Sequence, residues 1–336
     1  MTPEVGVYIH VPFCRKRCPY CAFVLIESDG SLHDRFVEKV CREIRAAAPA
    51  ARTLYFGGGT PSMLGAAPIR RMIDAVGGRP EEITVECNPE GLQLDGLRDA
   101  GVTRITLGIQ ALDDALLRFL GREHDAEGAR RAYREASREF DNICIDLIFG
   151  VPGQSIEGWR RTLEEVRAWQ PAHVSLYGLT YEKGTPFEKI RDRMPEEGEK
   201  AMYEAAMDAL AGYHHYEISN WARPGFESRH NRAYWEGRPY LGFGPGAHSY
   251  EPPERRWNVA NVREYLERGD VVAGRETLTA EQERIERLLV GLRQDVGVEL
   301  ATIPAGLEPF LERAGGRVRL TRAGKCVADT VIAKLV

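Results

Sequence analysis

The chain has 336 residues, enough for about two ordinary domains, and its 43% hydrophobic and 28% charged residues allow a sizeable core and exclude a disordered chain. Lys and Arg number 45 against 50 Asp and Glu, a formal net charge of −5, so no nucleic-acid partner is expected through bulk positive charge. No apolar run approaches about 18 residues, and the opening MTPEVGVYIH lacks a basic segment followed by an apolar one; a cytoplasmic protein without a span or secretory leader is expected.

Short apolar runs alternate with amphipathic stretches along the chain. Val5–Ile9 reads as a first strand, and Leu32–Ala47 as a helix with Phe36, Val40 and Ile44 on one stripe. A strand at Thr53–Phe56 runs into Gly57-Gly58-Gly59, followed by a helix at Ile69–Val76. Next come a strand at Ile83–Glu86, a helix at Leu92–Ala100 stopped by Gly101, and a strand at Arg104–Ile109. Helices near Asp114–Leu120 and Ala126–Glu139 precede the apolar strand Ile143–Phe149. Ser155 caps a helix running to Trp169, and His173–Leu179 is a sixth strand.

Six strands separated by helices predict right-handed βαβ units and a parallel sheet, either open or closed into part of a (β/α) barrel. Six units are too few for a complete eight-fold barrel. After Gly212 the composition turns loop-rich and aromatic. The last hundred or so residues read as a mostly helical unit, with a helix at Thr279–Arg293 and a small wing at Gly316–Leu320 before a helix at Asp329–Leu335. The expected division is 1–235 for the core and 236–336 for the C-terminal unit.

The seven cysteines are an odd number in a chain without a leader, which argues against a disulfide framework. Cys14, Cys18 and Cys21 form a C-x3-C-x2-C run just after the first strand, where a β/α unit carries its ligand loop. A closed zinc site wants four ligands; His10 is the residue that could complete one. A [4Fe–4S] cluster also takes four thiolates, so three from this loop leave one iron open to another ligand. Arg15, Lys16 and Arg17 supply local positive charge for the thiolates.

This run, with an aromatic before its last cysteine, resembles the signature of radical S-adenosylmethionine (SAM) proteins. The resemblance implies that SAM chelates the open iron through its amino and carboxylate groups, and that electron transfer from the cluster cleaves SAM to a 5′-deoxyadenosyl radical. Other motifs fall at predicted strand ends. The glycine run before Thr60 lets backbone approach a ligand, though a tight turn explains it equally. Glu86 could accept from a ribose hydroxyl or be an exposed acid beside the Pro89 turn. Gln110 ends the fourth strand; Arg122 calls for a carboxylate partner, and Asp146 is a strand acid that needs a partner.

Much of the chain is similar to the HemN/HemW branch of that superfamily, through YIHVPFC, FGGGTPS, VECNPE, RITLGIQ, LGREH, DLIFGVPGQ, HVSLYGLTYEKGTPF, YEISNWARPG, RHNRAYW and YLGFGPGAHS. The resemblance implies an α/β fold, a partial (β/α)6 TIM-like barrel with a C-terminal, winged-helix-like domain. It implies cluster ligands Cys14, Cys18 and Cys21, and a SAM pocket of Tyr8, Gly58, Gly59, Thr60, Glu86, Gln110, Arg122 and Asp146. Coproporphyrinogen III dehydrogenases of the branch carry a fourth cysteine where Phe23 stands, and an N-terminal extension. Both departures favour the heme-chaperone side of the branch.

His230-Asn231-Arg232-Ala233-Tyr234-Trp235 matches the H-N-x-x-Y-W segment associated there with haem, so His230 is the expected haem ligand, with His248 as a second candidate. A polar loop with a buried Tyr-Trp pair explains the same segment without haem. The implied partners are haem and apo-haemoproteins such as respiratory cytochromes, with peripheral attachment to the inner membrane; a homodimer is left open. The rival expectations are coproporphyrinogen III oxidation and a HemN-like methyltransferase or cyclopropanase. No basic recognition helix stands out in the winged unit, which reads as a lid or docking surface.

Overall fold

The computed structural model describes residues 5–28 and 30–336. Residues 1–4, part of the segment read for a leader, lie outside them. Strand β1 (Val5–Val11) is followed by β2 (Ala51–Gly58), β3 (Glu82–Cys87), β4 (Arg104–Gln110), β5 (Ile143–Phe149) and β6 (His173–Gly178). These six are parallel and lie side by side in chain order. Sequential order with one hand of crossover makes the curved wall of a partial barrel and brings the C-terminal strand ends, and the loops that follow them, to one mouth.

The outer layer follows from amphipathic spacing. Helix α1 (His33–Ala47) buries Phe36, Val37, Val40, Cys41 and Ile44. Helix α2 (Ala66–Val76) buries Ile69 and Met72, and α3 (Asp114–Phe119) and α4 (Ala126–Glu139) are both N-capped by aspartates. In α5 (Ile156–Trp169) the Ser155 hydroxyl accepts from Gly158 N, as expected of its cap, and Trp159, Leu163 and Val166 face the sheet. The expected helix at Leu92–Ala100 is instead a set of turns. Gly91 and Gly96 take positive φ values of 67° and 74°, which end any continuous helix there. Leu97 still reaches the core from a turn.

The aromatic stretch after Gly212 is more regular than its composition suggests. After α6 (Glu196–Ala209), strands β7 (His214–Glu217) and β8 (Asn220–Ala222) extend the sheet antiparallel beyond β6. Then α7 (Arg229–Trp235) leads to β9 (Tyr240–Phe243), which pairs parallel to β1 on the sheet's other side. Strands β10 (His248–Glu251) and β11 (Glu254–Asn258), helix α8 (Val262–Glu267) and strand β12 (Val272–Thr277) follow, and β10 to β12 continue the sheet antiparallel. One twelve-stranded sheet therefore crosses the expected boundary at 235/236. Backbone pairing to β1 ties β9 and its neighbours to the barrel, while towards the C-terminus a separate hydrophobic cluster gathers around Leu288, Leu292, Val318 and Val331.

That last unit has the expected wing. Helix α9 (Ala280–Gly291) opens on a capping box between Thr279 and Gln282. Strands β13 (Leu311–Ala314) and β14 (Arg317–Leu320) form a hairpin over Gly315 and Gly316, both at positive φ, as a two-residue turn with the right twist requires. Helices α10 (Arg322–Lys325) and α11 (Ala328–Ala333) close it.

Candidate functional site

The barrel mouth encloses a cavity of about 540 Å³. Cys14, Cys18 and Cys21 line it from the loop after β1; Gly58, Gly59, Glu86, Gln110 and Asp146 line it from the later strands and their ends, and Arg122 from the turn after the helix Asp114–Phe119. Nine of the eleven residues expected to hold the cluster and SAM thus share one wall. Tyr8 and Thr60 stand behind it: the Tyr8 hydroxyl donates to His10 Nδ1 at 3.0 Å, and Thr60 Oγ1 lies 3.4 Å from Cys14 Sγ.

The glycines are there because the loops are pressed together. Gly59 N donates to Val11 O at 2.8 Å and Thr60 N to Phe13 O at 2.7 Å, which zips the glycine run to the strand that delivers Cys14. A Cβ on Gly59 would lie 2.5 Å from Phe13 O. Gly58 has φ +107° and faces the His10 ring, which would lie 2.5 Å from a Cβ there. His10 donates Nε2–H to the Val24 carbonyl at 2.6 Å, so it braces the far limb of the cysteine loop. Burial holds its proton affinity below the ordinary histidine range. A Gly59→Ala variant is expected to lose about 1–3 kcal/mol from overpacking against backbone, seen as a lowered Tm and weakened iron retention.

The three thiols are free and share the cavity wall. Burial pushes Cys14 up to about 11, with the charges of Cys21 and Cys18 adding to it. Burial also raises Cys21, again with Cys18 contributing. Mutual repulsion of this kind is relieved by cationic iron. Among the described residues no three donor side chains are gathered closely enough for a single metal ion. The fit to a cluster rests on the donor chemistry: three soft thiols around one cavity, opposite an open wall. Of the loop's own cations, Arg15 pairs with Glu123, Lys16 lines the cavity, and Arg17 donates to the carbonyls of Cys21, Phe23 and Leu25 while its charge favours the Cys21 thiolate.

Arg122 adds positive charge from outside the loop. Its Nη1 donates to Cys18 Sγ at 3.6 Å, and Nη2 donates to Asn88 Oδ1 at 2.7 Å and Gly108 O at 3.0 Å. Its carboxylate partner is Glu90, at 3.0 Å, which also bonds His124 at 2.7 Å. Burial works to raise Glu90, but His124 and Arg122 outweigh it and hold the carboxyl below its usual range. Asn88 also donates to Thr60 Oγ1 at 2.9 Å, linking Arg122 to the glycine run. Asn88 and Glu90 went unassigned in the sequence, although the VECNPE segment contained both.

Two acids form the floor. Glu86 accepts from the Tyr55 hydroxyl at 2.9 Å and from Gly58 N at 3.0 Å. Burial, helped by the nearby Asp146 charge, lifts its carboxyl to about 7. Asp146 accepts from the Cys144 thiol at 3.3 Å, and burial lifts it to about 6. Gln110 sits at φ +66°, a strained conformation for a residue with a side chain, where β4 turns its end into the cavity.

His230 lies elsewhere. It is 2% exposed, with one ring nitrogen 2.8 Å from Thr53 Oγ1 and the other 3.0 Å from the Tyr234 hydroxyl. Its ring stacks on Tyr55 and abuts Gly6, at the N-terminal part of β1 and β2, away from the cysteine mouth. Burial presses its proton affinity down to about 3. The His230 ring thus already has a partner at each nitrogen on the barrel floor, and a role as haem ligand would require one of these contacts to be released. The HNRAYW segment is helix α7 rather than a polar loop, and Tyr234 and Trp235 are half-buried on it.

Comparison with known proteins gives the family and the fold. Residues 8–166 match the profile described as the Radical SAM superfamily. The protein is similar to heme chaperone HemW of Mycobacterium tuberculosis, at 36% identity over 98% of this chain and 94% of that one. It is also similar to heme chaperone HemW of Lactococcus lactis subsp. lactis, at 37% over 87% of this chain and 82% of that one. The fold is that of Escherichia coli coproporphyrinogen III oxidase (HemN), with a TM-score of 0.84, 21% identity, and coverage of 99% of this chain and 90% of that one. A partial barrel whose mouth carries C-x3-C-x2-C defines a radical SAM protein, and the chain belongs to that superfamily. Within it, the chain belongs to the HemN/HemW branch, beside the HemW heme chaperones.

Proposed function

We propose that this protein is a radical SAM heme chaperone that holds a [4Fe–4S] cluster on Cys14, Cys18 and Cys21, binds SAM in the barrel mouth, and carries haem to apo-haemoproteins such as respiratory cytochromes. The cluster with SAM supplies one-electron chemistry when both are bound. The chain's own part is to position and shield. Arg122 offers N–H to the Cys18 sulfur, which would hold the cluster. Gly58 and Gly59 leave room for close backbone approach, and Glu86 and Asp146 offer carboxylates to a cationic ligand.

The observation that carries the chaperone reading is the apolar mouth beside the cysteines. Phe23 is 64% exposed, and Tyr177, Ile148 and Leu179 complete a surface suited to a flat macrocycle. Delivery to haemoproteins, a cytoplasmic site of action and contact with the inner membrane follow from the reading; no helix among the described residues is long and apolar enough to cross a membrane. Anaerobically reconstituted protein is expected to bind about one haem per chain by absorption titration, and to form no protoporphyrinogen from coproporphyrinogen III with SAM and reductant. Turnover of coproporphyrinogen III would replace this reading with the oxidative decarboxylase.

A further inference from the structure

The inward face of the barrel wall is polar beneath the ligand cavity. Side chains alternate between faces along a strand, and paired residues share a face. On β5 and β6 the outward series sets Ile145 and Leu147 beside Val174 and Leu176, all buried in the apolar core. The inward series sets Cys144 beside His173 and Asp146 beside Ser175. Asp146 lines the cavity, and Cys144 lies two residues earlier on the same face. Interiors of parallel barrels are ordinarily filled by branched apolar side chains, and buried polar groups persist where they find partners.

Here the partners form one chain that ends on Asp146. Cys144 Sγ lies 3.3 Å from Asp146 Oδ1, 2.9 Å from His173 Nδ1 and 3.1 Å from Ser175 Oγ. His173 Nε2 in turn lies 2.8 Å from the Tyr216 hydroxyl on β7. Cys144, His173, Ser175 and Tyr216 are all buried. The protons give the chain a direction. An ionised carboxylate only accepts, so Cys144 donates its single S–H to Asp146. The sulfur then accepts from His173 Nδ1–H and from the Ser175 hydroxyl. Burial and the Arg104 charge hold His173 well below the ordinary histidine range, so it is neutral and its Nε2 accepts from Tyr216. Every donor from Tyr216 through His173 and Cys144 points toward Asp146, and donors aligned in this way strengthen one another in a dry interior. A proton on Asp146 would cost the S–H its best acceptor, so the chain favours the carboxylate.

Other groups face the same carboxyl. Burial raises it, while the Cys144 contact, Ser175 and the Arg104 charge on β4 oppose that rise. Glu86 on β3 lies close enough to feel the Asp146 charge. Tyr55 on β2 and Tyr177 on β6 feel it too, and burial keeps both protonated. Among these partners Cys144 is the hydrogen-bond donor next to Asp146 on its own strand. Burial raises its thiol as well, so it stays neutral and can be replaced without changing the charge of the site.

We propose that Cys144 is a positioning residue of the SAM site: backed by His173 and Tyr216, its thiol holds the Asp146 carboxylate ionised and in place at the cavity wall. The inference rests on the SAM-binding reading above, and its test needs no turnover. In ligand-free full-length protein the infrared carboxyl band of Asp146, assigned by its loss in Asp146→Asn, is followed with pH. In parallel, SAM is titrated by equilibrium dialysis into anaerobically reconstituted protein of matched iron content. Cys144→Val removes the donor and is expected to move the Asp146 titration upward. It should weaken SAM binding roughly threefold to tenfold at about pH 6.5 and leave it nearly unchanged at about pH 8.5, where the carboxylate is ionised either way. Cys144→Ser keeps a donor and should retain the wild-type behaviour in both measurements. His173→Leu breaks the chain behind the thiol and should move the titration in the same direction by less. Cys144→Ala gives the same comparison should the valine not be accommodated. An Asp146 titration unchanged in Cys144→Val and Cys144→Ala overturns the proposal, as does a loss of SAM affinity equal at every pH. Wild-type protein that binds no SAM overturns the SAM reading itself, and the infrared titration alone then decides whether Cys144 acts on Asp146.

Discussion

Replacing any one of Cys14, Cys18 and Cys21 by alanine is expected to bring bound iron and acid-labile sulfide to background in anaerobically reconstituted protein. Each of the three lines the same cavity, and a cluster already short of a fourth protein ligand has no thiolate to spare. The informative control is Cys87, which borders the same cavity. Its thiol turns back to the Val85 carbonyl at 3.7 Å, and burial pushes it up to about 12, so it is held as a neutral packing group. Cys87→Ala, like Cys41→Ala in helix α1 and Cys326→Ala near the C-terminus, is expected to keep full iron. Iron and sulfide per chain give the measurement, with circular dichroism showing that each variant is folded. Full iron in Cys18→Ala, or its loss in Cys87→Ala, would move the cluster off the expected loop.

The parallel core was legible because its signals are local. Apolar strands, Ser155 as a cap and the α1 stripe each depend on a few adjacent residues, and all reappear in place. What failed depends on residues far apart. The Leu92–Ala100 periodicity was real, since Leu97 is buried, but Gly91 and Gly96 at positive φ broke the helix that it implied. The second half of the sheet was hidden because β9 joins β1 across more than 230 positions of sequence, and nothing near Tyr240 announces that partner.

The site divides the same way. Strand-end residues such as Glu86, Gln110 and Asp146 converge because a parallel barrel sends every strand end to one mouth. Asn88 and Glu90 escaped notice because their role is second-hand: they hold Arg122 against Cys18. His230 stayed ambiguous because a histidine motif shows residue type and not whether its nitrogens have partners. Only the Thr53 and Tyr234 contacts decide that.

SAM affinity is expected to rise by roughly tenfold between pH 5.5 and pH 8, while the stability of the ligand-free protein falls over part of the same range. Both trends come from the cavity floor. Glu86, lifted to about 7, and Asp146, lifted to about 6, are largely neutral at the lower pH and ionised at the higher. The sulfonium of SAM is a fixed cation, so it gains attraction as the carboxyls ionise. For the free protein the sign reverses. A carboxyl whose folded value is raised binds its proton more tightly folded than unfolded, so stability is greatest below the ordinary carboxylate range. It is lost as pH climbs from about 4.5 to the folded value of about 7 for Glu86. Glu86→Gln removes that group's proton, keeps an acceptor for Tyr55, and is expected to flatten both curves; Asp146→Asn should flatten the portion near pH 6. Equilibrium dialysis of SAM and thermal melts across pH, with iron content checked at each point, make the measurement. A SAM affinity that is level with pH in the wild type would mean that neither floor carboxylate faces the bound cation.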